Sequence, residues 1–266
     1  SPVLADMLFL PLMYYGSATE HDMDFSQFAI MFKALFFEGF ARPPEGVRTI
    51  IRALTQRYRE LGGERRMKLG VRRIQPARGA GPCELELDDG TRITADRVLS
   101  SIGAPETEAL CGQQPEPAGL GRLSFVETIT VMDEQPAALG WEDTIVFFND
   151  SERFHYACPD DLVDPRSGVI CFPNNYAYEP GEGPREGIFR LTALANHRAW
   201  EALPEQAYRE AKTRWFEKLR LAALRFLPEP DGGCATVEAR TLATDMFTPL
   251  TVTRFTGHLG GAIYGS

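Results

Sequence analysis

The sequence predicts a mixed α/β (α+β) fold, in which a mixed β-sheet is covered by helices and a smaller β unit is set apart from it. Three observations support this prediction. Apolar residues recur at helical spacing over about the first sixty residues, the spacing changes to two after Arg66, and one long amphipathic segment lies between Pro204 and Pro228. Hydrophobic residues make up 44% of the 266 residues, which supplies a sizeable core.

Three helices are predicted near the N-terminus. The opening segment, SPVLADMLFLPLMYYGS, is interpreted as a buried helix, because it lacks a basic leader, is broken by Pro11 and falls short of the roughly 20 apolar residues of a membrane span. FSQFAIMFKALFFEGF, capped by Asp24 or Ser26, is apolar almost all round, so we expect it to be enclosed or to face an apolar ligand. GVRTIIRALTQRYRELGG predicts an amphipathic helix with solvated arginines, which stops at Gly62 and Gly63.

The smaller β unit is predicted from residues 64–103. RMKLGVRRIQ and CELELDDGTRITAD alternate apolar with polar side chains, and Asp89 and Gly90 supply a hairpin turn. A third strand, Val98 to Ile102 in RVLSSIG, runs into a turn of small residues. Ligands often bind at such strand ends, although small residues more commonly occur there only because the chain turns.

The rest of the chain is predicted to contain strands and one long helix. Five segments rich in β-branched and aromatic residues are interpreted as strands: LSFVETITVMDE, DTIVFFND, RFHYACP, GVICFPNNY and GIFRLTALAN. PEQAYREAKTRWFEKLRLAALRFLPE predicts the long helix, and CATVEARTLATD one further strand. We expect the long helix and the helices of residues 1–60 to cover one face of the sheet.

Composition excludes several classes of function. The formal net charge of -9 argues against a nucleic-acid partner, which requires clustered Lys and Arg. The five cysteines are widely spaced and include no CxxC pair, which predicts neither a zinc site nor disulfides and fits a reducing cytoplasm. The four histidines lack metal-ligand spacing, and no serine lies in a GxSxG elbow. We therefore predict no metal and assign no catalytic residue.

Glycines are concentrated in the C-terminal segment, RFTGHLGGAIYGS. Gly260, Gly261 and Gly265 surround Tyr264, and no helical or strand period accounts for them. Glycine is favoured where a ligand or a neighbouring chain leaves no room for a Cβ atom. We therefore expect this segment to approach another group closely.

Two blocks of the sequence resemble a known family. The stretch ELDDGTRITADRVLSSIGAPET and the terminal TPLTVTRFTGHLGGAIYGS are similar to segments of the phytoene desaturase and retinol saturase-like group, FAD-dependent oxidoreductases of the flavin amine oxidase superfamily. The resemblance implies hydride transfer from an apolar polyene or lipid-like substrate to FAD. It also leaves open a peripheral membrane contact of a cytoplasmic parent protein.

The chain departs from that family pattern in three places. It has no GxGxxG motif for the FAD pyrophosphate, the glycine-rich helix start that follows GAIYG is missing, and Glu45 replaces the first glycine of the P-GG motif. We therefore expect a central fragment that lacks both flavin-binding ends, retains no FAD and is inactive alone. In this interpretation residues 1–63 are the helical part of a substrate domain, residues 64–104 a β unit of the FAD-binding domain, and residues 105–266 the mixed-sheet substrate domain with a flavin-facing C-terminal segment.

The resemblance also implies which residues face the ligands. The expected cofactor-binding residues are Val71, Ser101, Ile102, Gly103, Arg254, Thr256, Gly260, Gly261 and Tyr264. The expected substrate tunnel is lined by Leu10, Tyr14, Phe28, Met31 and Phe36, together with Leu8 and Met13. Without their partner surface, residues 257–261 are expected to be exposed and poorly ordered.

Other interpretations stay open at this point. The apolar residues of the first two helices would also fit a simple packing core. A small amine could replace the apolar substrate, and a stand-alone module that binds a hydrophobic ligand without redox chemistry would explain the missing dinucleotide motif.

Overall fold

The fold is a mixed α/β one, as the sequence predicts, and is built from helices and antiparallel sheets. The computed structural model describes residues 1–39, 41–43, 45–77, 79, 81–116 and 121–264. The helices are α1 (Pro2–Gly16), α2 (Phe25–Lys33), α3 (Val47–Glu60), α4 (Ala104–Leu110), α5 (His197–Glu201), α6 (Glu205–Leu224), α7 (Cys234–Ala239) and α8 (Pro249–Thr256). The strands are β1 (Val71–Gln75), β2 (Cys83–Leu87), β3 (Arg92–Ala95), β4 (Ser124–Met132), β5 (Ile145–Asn149), β6 (Ser167–Cys171), β7 (Gly187–Ala195) and β8 (Thr241–Phe247).

The larger sheet has five antiparallel strands in the order β5-β6-β7-β4-β8. Its two longest strands, β4 and β7, pair along their whole length, from Ser124 opposite Ala195 to Met132 opposite Gly187. Side chains alternate between the two faces of a strand, and both faces of this sheet carry apolar residues. Each face therefore needs its own cover.

One face of the larger sheet packs against α6, the predicted long helix. The helix begins after Pro204, as expected, and buries Trp215, Phe216 and Leu219. These side chains join a core whose buried sheet members are Val126, Met132, Phe148, Ile170, Phe189, Leu191, Ala193, Ala195 and Met246. This is the largest apolar cluster of the described chain, and it holds the sheet in place.

The opposite face packs against the C-terminal half of α1. Leu10, Met13 and Tyr14 join a second core with Phe125 and Leu194 of the sheet. The expectation that the N-terminal helices and the long helix share one face is therefore wrong. Sequence periodicity shows that a strand has two apolar faces, but it does not show which helix covers which face.

In the described chain, neither α2 nor α3 has a buried residue, although α2 packs against α1 with the ring centroids of Phe9 and Phe28 5.6 Å apart. The prediction that FSQFAIMFKALFFEGF is enclosed is wrong for this chain. The helix is capped by Asp24 as expected, and it continues through a π-helical turn over Ala34–Glu38. The apolar stripe of α3 is present but faces solvent, with Leu54 66% exposed.

The smaller sheet is separate from the larger one and has the order β1-β2-β3. The hairpin between β2 and β3 turns at Asp89 and Gly90 as predicted, with Gly90 in the left-handed region at a φ of 84°. The third predicted strand, Val98 to Ile102, is wrong. That segment is irregular and Leu99 is fully exposed, since no described strand lies beside it to supply a hydrogen-bonding partner.

Two further strand predictions fail for physical reasons. RFHYACP is irregular, because its backbone N–H groups bind acidic side chains of the N-terminal segment: Phe154 donates to Asp6 over 3.2 Å and Cys158 to Glu20 over 2.9 Å. The first half of CATVEARTLATD forms α7, which buries Val237, and only its second half belongs to β8. In the described part of the chain, no helix is long and apolar enough to cross a membrane.

Candidate functional site

A cavity of about 400 Å³ lies on the α1 side of the larger sheet. Alternate residues of four strands form its floor, because side chains two apart on a strand share one face. Segments from both ends of the chain and one loop form its walls. The lining residues are Tyr14, Tyr15, Phe125, Glu127, Val169, Cys171, Tyr176, Arg190, Thr192, Phe247, Ile263 and Tyr264.

Aromatic rings make up one end of the cavity. Tyr14 packs on Phe125 with ring centroids 5.6 Å apart, and Phe125 meets Tyr264 edge-on at 6.0 Å. The hydroxyl of Tyr264 donates a hydrogen bond to the carbonyl of Tyr14, and the Tyr14 hydroxyl lies 3.0 Å from the Ser167 hydroxyl. Burial raises the pKa of Tyr14 above its ordinary range and that of Tyr264 to about 12. Both phenols are therefore neutral at physiological pH.

The other end of the cavity is polar. Arg190 of β7 donates through Nε to Oε1 of Glu127 of β4 over 2.8 Å, and a terminal nitrogen of the same guanidinium lies 2.6 Å from that oxygen. The Thr192 hydroxyl lies 3.4 Å from the other carboxylate oxygen. Cys171 completes this end, and burial raises the pKa of its thiol, which is therefore protonated at neutral pH.

The C-terminal segment closes one side of the cavity. Ser124 donates through its hydroxyl to the carbonyl of Gly261 over 2.6 Å, and Ile263 donates through its N–H to the carbonyl of Leu123 over 3.3 Å. The expectation that residues 257–261 are exposed is wrong for Gly261, which is buried, whereas Gly257 is exposed. The reason is that the segment has a partner surface within the chain, at the start of β4.

The glycines of the C-terminal segment do approach other groups closely, as expected, and those groups belong to the same chain. An ideal Cβ on Gly261 would lie 2.6 Å from Cδ2 of His197 and 2.9 Å from the carbonyl oxygen of Pro249. Gly260 has a φ of 64°, and its ideal Cβ would lie 3.3 Å from the carbonyl oxygen of Gly121. Gly265 lies outside the described residues. The packing of this segment thus explains Gly260 and Gly261 without a bound cofactor.

The helix that follows the predicted turn at Ser101, Ile102 and Gly103 contacts the C-terminal segment. The turn precedes α4, whose Glu106 accepts a hydrogen bond of 2.7 Å from the N–H of Leu259. The remaining predicted cofactor residues lie apart from this contact. Val71 pairs with Leu87 in the smaller sheet, and Arg254 and Thr256 lie on the exposed side of α8.

The predicted substrate tunnel is not one cavity. Tyr14 lines the cavity on the sheet, and Leu10 belongs to the core beside it. Met13 and Phe28 line a second cavity of about 530 Å³ between α1, α2 and the segment around Phe154. The other three lie elsewhere: Leu8 is half-buried on α1, Met31 lies beside Gly16, and Phe36 contacts the Phe32 ring at a tilted angle at the surface.

Sequence analysis missed the polar end of the cavity. Glu127 and Arg190 lie within apolar strands, at positions where the alternation places a charged side chain on one face. A carboxylate on one strand and a guanidinium on another can form a cross-strand ion pair. This prediction becomes specific only when the two strands are known to be neighbours in the sheet. Cys171, Tyr176 and Thr192 carry no such signal.

Comparison with known proteins decides the family. The sequence profile of flavin-containing amine oxidoreductases matches residues 2–254, which is nearly the whole chain. The chain belongs to this family. No curated protein matches the chain. The resemblance to the flavin amine oxidase superfamily is therefore confirmed, and a flavin-containing amine oxidoreductase is by its chemistry a flavin-dependent oxidoreductase.

The described residues of this family member do not fit a complete FAD. No GxGxxG motif is present, so the sequence offers no glycine-rich turn between strand and helix for a pyrophosphate. The turn at Gly103 is followed by a helix of 7 residues, and the carboxylate of Glu106 lies beside Gly103, where it would repel an anion. No cluster of metal-binding side chains occurs in the described ranges either.

Proposed function

We propose that this chain is the substrate-binding portion of a phytoene dehydrogenase-like, FAD-dependent oxidoreductase that removes hydride from an apolar polyene or lipid-like substrate. The observation that carries the proposal is the cavity on the larger sheet. Its aromatic end is formed by Tyr14, Phe125 and Tyr264, whose rings present flat apolar surfaces to a ligand. Flavin, the family's cofactor, supplies the redox chemistry, and the chain supplies binding and orientation.

The residues of the cavity have definable tasks in this proposal. The aromatic rings hold an extended apolar chain by contact over its length. The neutral phenols of Tyr14 and Tyr264 add no charge at this end, because their hydroxyls already have partners within the protein. Val169 and Phe247 form the sheet floor and help to exclude water. Such a cavity favours a substrate with few polar groups along its chain.

An amine-oxidising enzyme with a small polar substrate is the second candidate, because Glu127 places a carboxylate in the cavity. A substrate ammonium would need that carboxylate free. Instead, Arg190 lies 2.6 Å from it and already balances its charge. The polar end therefore offers no unpaired anion to an amine, and we favour the apolar substrate.

The proposal is tested by binding of a neutral conjugated probe, the methyl ester of cis-parinaric acid, a tetraene whose fluorescence rises on entering an apolar cavity. We expect saturable binding of one probe per chain. Cys171→Phe fills the cavity from β6 and is expected to weaken binding about tenfold. Cys234→Phe is the matched control, because Cys234 is exposed on α7 away from the cavity. Equal affinity of the two variants would contradict the proposed site.

Two further measurements separate the alternatives. The first measures the concentration of competitor that displaces the ester, for decylamine and for a neutral ten-carbon lipid. A lower concentration for decylamine would favour the amine-oxidising enzyme. Flavin absorbance after gel filtration tests the expectation that this chain alone retains no FAD. Retention near one flavin per chain would overturn that expectation and would exclude a stand-alone binding module without redox chemistry.

A further inference from the structure

The polar end of the cavity holds more positive charge than the Glu127–Arg190 pair alone suggests. Arg42 lies over the ring of Tyr176, with its Cζ atom 5.9 Å from the ring centroid, and Tyr176 lines the cavity. Burial raises the pKa of the Cys171 thiol, and the positive charge of Arg42 acts in the opposite direction, so Arg42 is close enough to interact with this thiol. Within the cavity Glu127 balances Arg190, and Arg42, which lies beyond Tyr176 and does not itself line the cavity, adds a formal charge of +1 beside this end.

The hydrogen-bonding capacity left at this end is also one-sided. Arg190 uses Nε and one terminal N–H on a single oxygen of Glu127, which leaves three of its five N–H donors. The second oxygen of Glu127 lies near the Thr192 hydroxyl. Arg42 makes a cation–π contact with the face of Tyr176, and this contact uses the charge of the guanidinium and none of its N–H donors. What remains is rich in donors and poor in acceptors.

The rest of the cavity does not offset this charge. Partial or full removal from water raises the pKa values of the Tyr14 and Tyr264 phenols and of the Cys171 thiol, so all three groups are neutral at pH 7. Asp164, which lies behind Tyr14, is paired with Arg166 over 2.7 Å. The cavity thus runs from a neutral aromatic end to a cationic end.

The geometry points to a substrate that is an amphipathic monocarboxylate: a long apolar or polyene chain in the aromatic end, with its carboxylate between Arg190 and Arg42. This inference rests on the proposed function and adds the head group. A carboxylate is an acceptor only, carries one negative charge and matches the planar fork of a guanidinium. An alcohol or ester would leave the donors poorly matched, and an ammonium would be repelled.

The test compares cis-parinaric acid with its methyl ester, because the two probes share one chain and differ in the head group. We expect the acid to bind the intact chain about tenfold more tightly than the ester. Arg42→Gln is expected to weaken binding of the acid at least threefold and to leave binding of the ester unchanged. The arginine is exposed, so its replacement does not disturb the core.

Arg190→Lys is the second variant, since it keeps the charge beside Glu127 but removes the planar fork. It should lower the preference for acid over ester without abolishing binding of the ester. Arg209→Gln, at an exposed position on α6, is the matched control and should change neither affinity. Equal binding of acid and ester by the unaltered chain would overturn the carboxylate inference and leave the proposed function standing. Failure of both probes to bind would overturn both.

Discussion

The imidazole of His197 occupies the space that a side chain at Gly261 would need. The two residues lie 64 positions apart in the sequence, and an ideal Cβ on Gly261 would come within 2.6 Å of Cδ2 of His197. His197 begins α5, and its Nε2 lies 3.1 Å from the Thr253 hydroxyl of α8. The contact joins the C-terminal segment to two helices and explains the glycine by packing within the chain.

Gly261→Ala is therefore expected to destabilise the chain by itself, without any flavin. We expect the free energy of unfolding to fall by about 3 kcal/mol, because overpacking against His197 adds to a left-handed backbone at a φ of 62°. Urea denaturation measures the loss. Gly257→Ala is the matched control: it has a φ of 77° but nothing within 4 Å, so it should cost only about 1 kcal/mol. Equal losses would show that the His197 contact is unimportant.

Tyr264→Phe tests the link between the two ends of the chain. The variant keeps the ring contact with Phe125 and removes the hydrogen bond to Tyr14, so the free energy of unfolding should fall by about 1 kcal/mol. Burial raises the pKa of Tyr264 from 10.0 to about 12. Between these values the unfolded chain loses the proton and the folded chain keeps it, so stability falls as pH rises.

The alkaline measurement is an ultraviolet titration of tyrosinate in the folded protein. Subtracting the curve of Tyr264→Phe from that of the wild type isolates one phenol. We expect the difference to be centred near pH 12. A difference centred near pH 10 would mean that the Tyr264 phenol is open to solvent and does not close the cavity.

Protonation of His197 is expected to lower the free energy of unfolding in acid. Burial lowers the pKa of its imidazole below 6.5, although Glu201 acts in the opposite direction. The unfolded chain therefore takes up a proton at a higher pH than the folded chain, and stability falls as pH drops below 6.5. His197→Gln should flatten this part of the pH profile. His155→Gln, at an exposed position, should leave the profile as steep as in the wild type, and an equally flattened profile would contradict the assignment.

The tryptophans of the core allow a comparison of two buried indoles. Among the described side chains, Nε1 of Trp215 is buried without a hydrogen-bond partner, whereas Nε1 of Trp200 donates to the carbonyl of Leu162 over 3.0 Å. Both substitutions to Phe shrink a packed ring, but only Trp200→Phe also removes a hydrogen bond, because the Leu162 carbonyl then keeps only the N–H of Asn196 as a donor. We expect Trp200→Phe to cost about 1 kcal/mol more than Trp215→Phe in chemical denaturation. The reverse order would show that the Trp215 N–H has a partner, such as an ordered water.

Local signals in the sequence identified most of the regular elements. Pro204 marks the start of α6, Asp89 and Gly90 turn the hairpin, and the alternation in β4 and β7 marks two long strands. Each signal acts between residues close together in the chain, where the backbone permits few conformations. Where a strand needs a partner from elsewhere, as at Val98 to Ile102, the same kind of pattern predicted wrongly.

The site depends on contacts that no local pattern encodes. Tyr14 and Tyr264 meet across 250 residues, and Glu127 pairs with Arg190 only because β4 and β7 are neighbours in the sheet. The sequence by itself determined the family, the two sheet units and the apolar character of α1 and α3. The tertiary structure alone decided that α1 and α6 cover opposite faces, that α3 leaves its apolar stripe open, and where the cavity lies. The physical reason is that burial and charge pairing depend on which distant segments pack together, and strand order sets this.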